Sequence, residues 1–128
     1  MASKKKAFAI VGDGAMLMFN EVNTAVQYNV DATWIVLNDA QYGMIEQGMR
    51  TLGWEPFATA LPRVDFVSLA RAVGADGIRV EHETALDSAL ATALARKGPF
   101  VIDVEIDRRE LSPSLQRNQS LMLQLRGA

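Results

Sequence analysis

The chain has 128 residues, 49% of them hydrophobic, and a formal net charge of -2, which suits one domain with one core. Basic and acidic residues are intermixed, so neither nucleic acid nor an anionic membrane surface finds an electrostatic footprint, and a small molecule or another protein is the expected partner. The absence of cysteine excludes a disulfide scaffold, a thiolate nucleophile and a Cys-based zinc site, and suits a reducing compartment, with the cytoplasm as the default.

Met1 to Lys6 is basic, with Lys4-Lys5-Lys6 read as a solvated strand start. The apolar stretch behind it is cut by Gly12-Asp13-Gly14 and is too short for a secretory segment, and nothing elsewhere approaches a membrane span. Ala7-Phe8-Ala9-Ile10-Val11 is a continuous apolar run closed by glycine, the pattern of a strand buried on both faces of a parallel sheet. From Ala15 to Tyr28, Met18, Val22, Ala25 and Val26 recur at helical spacing. Thr33 to Leu37 repeats the buried-strand pattern and stops at Asn38-Asp39, and Gln41 to Arg50 begins a second helix.

Thr51 to Pro62, with Gly53, Trp54 and two prolines, reads as an irregular surface connection whose apolar groups pack on something. Trp54 and Phe57 are read as packing or subunit-contact residues. Asp65 caps a helix with Phe66, Leu69, Ala70 and Val73 on one face, ending at Gly74, and Gly77 to Val80 is a short strand. Leu86, Ala89, Leu90, Ala93 and Leu94 stripe a further helix that closes at Lys97-Gly98-Pro99, before a last strand over Phe100 to Val104. Strands and helices alternate, which predicts an α/β fold: three αβα layers around a mostly parallel sheet, covered on both sides. Residues 1–107 form this domain; 108–128 is a tail in which Leu111, Leu115, Leu121, Leu123 and Leu125 suggest an amphipathic helix after Pro113.

Ligands of an open parallel sheet sit beyond the carboxyl ends of its strands. Gly12-Asp13-Gly14 lies at the first such end, where glycines admit a close backbone approach and the following helix points its positive end outward, a geometry for phosphate oxygens. A bare Asp13 would repel phosphate, and a divalent cation removes the conflict. Asp13, Asp39 and a nearby backbone carbonyl are hard oxygen donors suited to Mg²⁺. Glu21 and His82 are read as surface residues, and of the methionines Met16, Met18, Met44 and Met49 only Met44 is favoured beside a ligand.

Gly12 to Met44 resembles the thiamine diphosphate motif, in which Gly-Asp-Gly is followed, after a helix and a strand, by Asn-Asn or a variant. The nearest likeness is to the acetolactate synthase-like branch, and it extends from Ala7 to Asp107. The resemblance implies that Asp13 and Asp39 ligate Mg²⁺ with the backbone carbonyl of Gln41. It further implies that Gly12, Gly14 and Ala15 meet the diphosphate through the main chain, and that Gly43, Met44 and Ile45 lie along the cofactor. Asp39 stands where the family usually has its second Asn, and its spacing from Asp13 is one residue shorter than the commonest form. The family's activating glutamate, carried by a pyrimidine-binding domain of a neighbouring chain, has no counterpart here, so no catalytic residue is assigned. The resemblance thus implies thiamine diphosphate and Mg²⁺ as cofactors and a 2-oxo acid as substrate. It also implies a pyrimidine-binding domain or subunit as partner, a homo-oligomeric full enzyme, and a chain that is a fragment or subunit, inactive alone. The alternative is a non-catalytic α/β module, receiver-like or an interaction domain.

Overall fold

The computed structural model describes residues 5–110 and Leu123. Four strands form one sheet: β1 (Ala7–Gly12), β2 (Ala32–Asn38), β3 (Asp76–Val80) and β4 (Phe100–Glu105), all parallel, in the order β1-β2-β4-β3. The helices are α1 (Asp13–Met16), α2 (Asn20–Gln27), α3 (Gly43–Thr51), α4 (Phe66–Ala72) and α5 (Leu86–Ala95), the last entered through a 3₁₀ turn over Glu83–Ala85. The expected α/β alternation is therefore the observed one, and no helix among the described residues is long and apolar enough to cross a membrane.

Two cores lie on opposite faces of the sheet. Met16, Val22, Phe66 and Ala70 from α1, α2 and α4 pack with Val36 and Val101 on one face. On the other, Ala89 and Ala93 of α5 pack with Val80, Phe100 and Ile102. Strand alternation delivers this, because Val101 and Ile102 are successive residues and so point to opposite faces.

β1 departs from the expectation. It is the edge strand, and Phe8 and Ile10 are 41% and 70% exposed. Val11 packs with the α2 and α4 core, but α5 lies over β3 and β4 and does not extend across β1. A continuous apolar run signals burial on two faces without saying which elements provide it, and here only one face is covered by described residues.

The helix expected over Ala15 to Tyr28 is instead two, separated by Leu17–Phe19. Met16 and Val22 explain the break. In an unbroken helix, six residues of separation would set them about 240° apart, whereas both are buried in one cluster. The same break turns Met18, placed on the apolar stripe by spacing, out to 75% exposure.

Lys6 is not merely solvated. Its Nζ donates to the carbonyls of Ala93 and Arg96 at 2.5 and 2.7 Å, satisfying the acceptors that a helix C-terminus leaves free. In the connection after α3, Thr59 is buried and Gln41 bridges Ala60, yet Trp54 and Phe57 stay 62% and 82% exposed. Most of their apolar surface is left uncovered by the described residues. The tail reading from Leu111 onward lies outside the described residues except for Leu123, which is helical and exposed.

Asp65 caps α4 as expected, accepting from the Ser68 N–H at 2.8 Å and the Ser68 hydroxyl at 2.7 Å. Those bonds hold its carboxyl below the ordinary value of 3.8. Its contribution is therefore present above about pH 3.8 and lost as pH falls through the lowered value. Asp65→Ala is expected to cost about 1 kcal/mol at pH 7, read as a lower Tm, with the gap to the parent chain closing in acid.

Candidate functional site

The register of β1 on β2 pairs Gly12 with Leu37. Just past this last pair, the chain leaves β1 at Asp13 and β2 ends at Asn38, so Asp13 and Asp39 emerge at the same end of the sheet. Every residue named from the motif, Gly12, Asp13, Gly14, Ala15, Asp39, Gln41, Gly43, Met44 and Ile45, lines one cavity of about 470 Å³. Leu37, Tyr42, Gln47, Ile106 and Glu110 complete its wall. These last residues escaped the sequence reading, since a single side chain on a cavity wall carries no motif of its own.

Asp13 is the centre of the site. It is only 5% exposed, its Oδ1 accepts from the Gly14 N–H at 2.7 Å, and its Oδ2 is buried with no hydrogen-bond partner. Burial pushes the carboxyl above its ordinary value; the Gly14 amide opposes this, the Asp39 charge adds to it, and the amides of Ala40 and Gln41 oppose it in turn. The Asp39 contribution means that the two carboxylates feel one another across the cavity. Among the described residues no three Asp, Glu, His or Cys side chains gather as a metal cage, so a cation here would need backbone or ligand oxygens besides the two carboxylates.

Asp39 is partnered differently. Its Oδ2 accepts from Gln41 Nε2 at 3.0 Å. The loop it sits on turns through Ala40, buried at 1% exposure with φ of 54°, a left-handed conformation that costs a residue bearing a Cβ about 1 kcal/mol or more. That turn is held from two sides. Leu61 N–H donates to the Ala40 carbonyl at 2.9 Å and Tyr42 N–H to the Thr59 carbonyl at 2.8 Å. From the other side Arg108 donates through Nε to the Asp39 carbonyl at 2.8 Å and through Nη2 to the Ala40 carbonyl at 2.9 Å. Arg108 was assigned to the tail by sequence, and only tertiary structure could bring it here.

The glycines serve different ends. A Cβ at Gly14 would stand 2.9 Å from the Tyr42 ring, so glycine there lets the loop after β1 close on the loop after β2, and one at Gly43 would stand 2.8 Å from Asp39 Oδ2 within the second loop itself. Gly12 has ordinary extended backbone (φ -78°, ψ 159°), and a Cβ there would meet nothing within 4 Å. Neither strain nor packing inside the chain requires glycine at that position; it leaves room on the cavity wall. The helix expected to turn its positive end to this cavity is the four-residue α1. One turn sums few peptide dipoles, so anion attraction must come from individual N–H groups and a cation, not from a macrodipole.

Behind the loop lies a second buried polar pair. Asn38 Nδ2 donates to Asp103 Oδ1 at 2.9 Å and to the Val64 carbonyl at 3.0 Å. Asn38 Oδ1 and Asp103 Oδ2 are buried without partners. Burial raises the Asp103 carboxyl, partly opposed by the Asn38 amide, Arg79 and the Phe66 N–H. His82 and Glu21 are exposed, as expected.

Residues 1–104 match the family described as Thiamine pyrophosphate enzyme, C-terminal TPP binding domain. The chain belongs to that family. It is 37% identical over 114 residues to a Mycobacterium tuberculosis protein provisionally named an acetolactate synthase large subunit, covering 88% of this chain and 20% of the relative. It is 33% identical over 115 residues to indole-3-pyruvate decarboxylase of Azospirillum brasilense, covering 88% of this chain and 20% of that one. The crystal structure of benzoylformate decarboxylase from Polynucleobacter necessarius superposes with a TM-score of 0.79 at 29% identity, over 85% of this chain and 21% of that one. The chain thus spans about a fifth of the length of these relatives. One of these relatives is named as an acetolactate synthase and two as decarboxylases, and the receiver-like alternative finds no support.

The Asp103 carboxyl gives a testable pH dependence. Its folded-state value lies above the ordinary 3.8, so the stability it contributes is full below about pH 3.8 and is lost as pH rises through the raised value. Asp103→Asn keeps the acceptor for Asn38 and never ionises. Its Tm should gain on that of the parent chain as pH rises from about 4 toward 7; a difference constant with pH would refute the assignment.

Proposed function

We propose that this chain is the diphosphate- and Mg²⁺-holding part of a thiamine diphosphate-dependent enzyme that decarboxylates or carboligates 2-oxo acids, and that it is inactive alone. The observation that carries the reading is Asp13 Oδ2, an acceptor buried without a partner on a cavity that Asp39 also lines. An uncompensated buried carboxylate is costly, and a cation shared with a second carboxylate removes that cost. The donor set fits a hard cation: Asp13, the Asp39 side chain and the Gln41 carbonyl would hold Mg²⁺ together with diphosphate oxygens. Gly12, Gly14 and Ala15 would meet the diphosphate through main-chain groups, and Gly43, Met44 and Ile45 would lie along the cofactor. Thiamine diphosphate, when bound, supplies the nucleophilic carbon that attacks a 2-oxo group.

This chain's own residues anchor and orient. Met44 and Ile45, 60% and 59% exposed on the first turn of α3, offer apolar surface at the cavity mouth, where a cofactor ring would cover them. Phe8, Ile10, Trp54 and Phe57 expose apolar surface away from that mouth, which supports burial against other parts of a larger, oligomeric enzyme, a pyrimidine-binding domain among them. An internal, cytoplasmic setting agrees with the absence of cysteine.

Two measurements on the complete enzyme test the reading. Thiamine diphosphate with MgCl₂ should raise its Tm by several degrees, by mass action on the folded state, and Asp13→Ala should abolish that shift; an equal shift in the variant would refute the assignment. Gly12→Val should leave the cofactor-free Tm within about 2 °C of the parent, since open space receives the side chain, while weakening thiamine diphosphate binding at least about tenfold. Unchanged affinity would remove Gly12 from the diphosphate site.

A further inference from the structure

Arg108 has a place in the site that neither its sequence position nor the family motif announces. It follows β4, whose ladder continues one step past the strand where the Ile106 N–H donates to the Asn38 carbonyl at 3.1 Å. Two residues later its guanidinium spans the carbonyls of Asp39 and Ala40, at 2.8 and 2.9 Å. The bond is returned: Gln41 Nε2 donates to the Arg108 carbonyl at 3.2 Å while also donating to Asp39 Oδ2 at 3.0 Å. Side chain and main chain of one residue therefore grip the turn between the two proposed cation ligands, Asp39 and Gln41, and that turn passes through Ala40 at positive φ.

We propose that Arg108 is a positioning residue for cation binding: its forked guanidinium holds the Asp39-Ala40-Gln41 turn in the conformation that presents the Asp39 carboxylate and the Gln41 carbonyl to the cavity. This rests on the Mg²⁺ reading above. The fork is specific to arginine, because two adjacent donors in fixed geometry match two successive carbonyls, whereas a lysine ammonium is a point charge on a flexible stem. Geometry and charge act in opposite directions here. A positive guanidinium beside Asp39 disfavours a second cation, while a held turn favours one. Arg108 is exposed, so solvent and salt screen its charge, while its two hydrogen bonds, one of them partly buried, still fix the direction of the loop carbonyls. The geometric effect dominates.

The sign of the effect decides the matter. On the complete enzyme at saturating thiamine diphosphate, MgCl₂ is titrated and the Tm read for the parent, Arg108→Ala, Arg108→Lys and Arg109→Ala. Arg109 is a neighbour that pairs with Asp107 outside the cavity. Arg108→Ala is expected to raise the half-saturating Mg²⁺ concentration about tenfold or more, as loss of groups that orient metal ligands does. Its metal-free Tm should stay within about 3 °C of the parent. Arg108→Lys should fall between Ala and parent, and Arg109→Ala should match the parent. A half-saturation point within twofold of the parent in both Arg108 variants, with or without a lower metal-free Tm, overturns the inference, as does a lowered one, which would make Arg108 an electrostatic antagonist. If the parent itself shows no Mg²⁺-dependent shift, the proposed function falls and this inference with it.

Discussion

A carboxylate buried at the tip of a parallel strand is the constraint on which the rest of this structure turns. Asp13 sits where β1 ends, shielded from water, with one oxygen on the Gly14 amide and the other without a partner. Such a group raises the energy of the empty fold unless something positive reaches it. Its surroundings soften the cost with amide dipoles from Gly14, Ala40 and Gln41 without cancelling it, since the net direction of its shift is still upward. On the proposed reading, this uncompensated carboxylate is the basis of an affinity for a cation.

Parallel pairing is what makes that affinity useful. With β1 and β2 in register from Ala7 opposite Ala32 to Gly12 opposite Leu37, both strands end at one sheet edge and their loops must share the space beyond it. An antiparallel pairing would have sent Asp13 and Asp39 to opposite edges. Gly14, where a Cβ would crowd the Tyr42 ring, lets the two loops approach closely, and Gly43, where one would crowd Asp39 Oδ2, leaves room within the second loop. Gly12 is free of that duty, since a Cβ there would meet nothing within 4 Å, and on the proposed reading the room it leaves is for a ligand.

The sequence conveyed this arrangement unevenly, for physical reasons. Strand positions were legible because β-periodicity and short apolar runs report directly on burial, and the Asp65 cap was legible because capping is a contact between residues three apart. The turn residues of the site were legible as a motif. The break between α1 and α2 was not, because helical spacing describes a straight helix and the demand that Met16 and Val22 share one core is tertiary. The exposure of Ile10 was not, because an apolar run says that cover is needed and not where it comes from. Arg108 was least legible of all: its partners lie 69 and 68 residues away, and an arginine in a polar stretch looks the same whether it is free or forked across a loop.

The composition of the cavity wall separates anchoring from chemistry. Of its lining residues only Asp13, Asp39, Tyr42 and Glu110 carry titratable side chains. The first two are held by amides and by Gln41 in a manner that suits charge compensation, not proton exchange with a substrate. Among the described residues no histidine, lysine or cysteine lines it, so the described wall carries none of the side chains that most often serve as a base near neutrality or as an activated thiol or amine. What it does offer is glycine-lined space, an acidic pair and an apolar helix face, the parts needed to fix a bulky charged cofactor in one orientation. In a division of labour of that kind the fold contributes by placing the ligand to within a fraction of an ångström. On the proposed reading, the contacts that matter most are therefore those that hold the Asp39 turn, from Leu61 on one side and Arg108 on the other, more than any single reactive group.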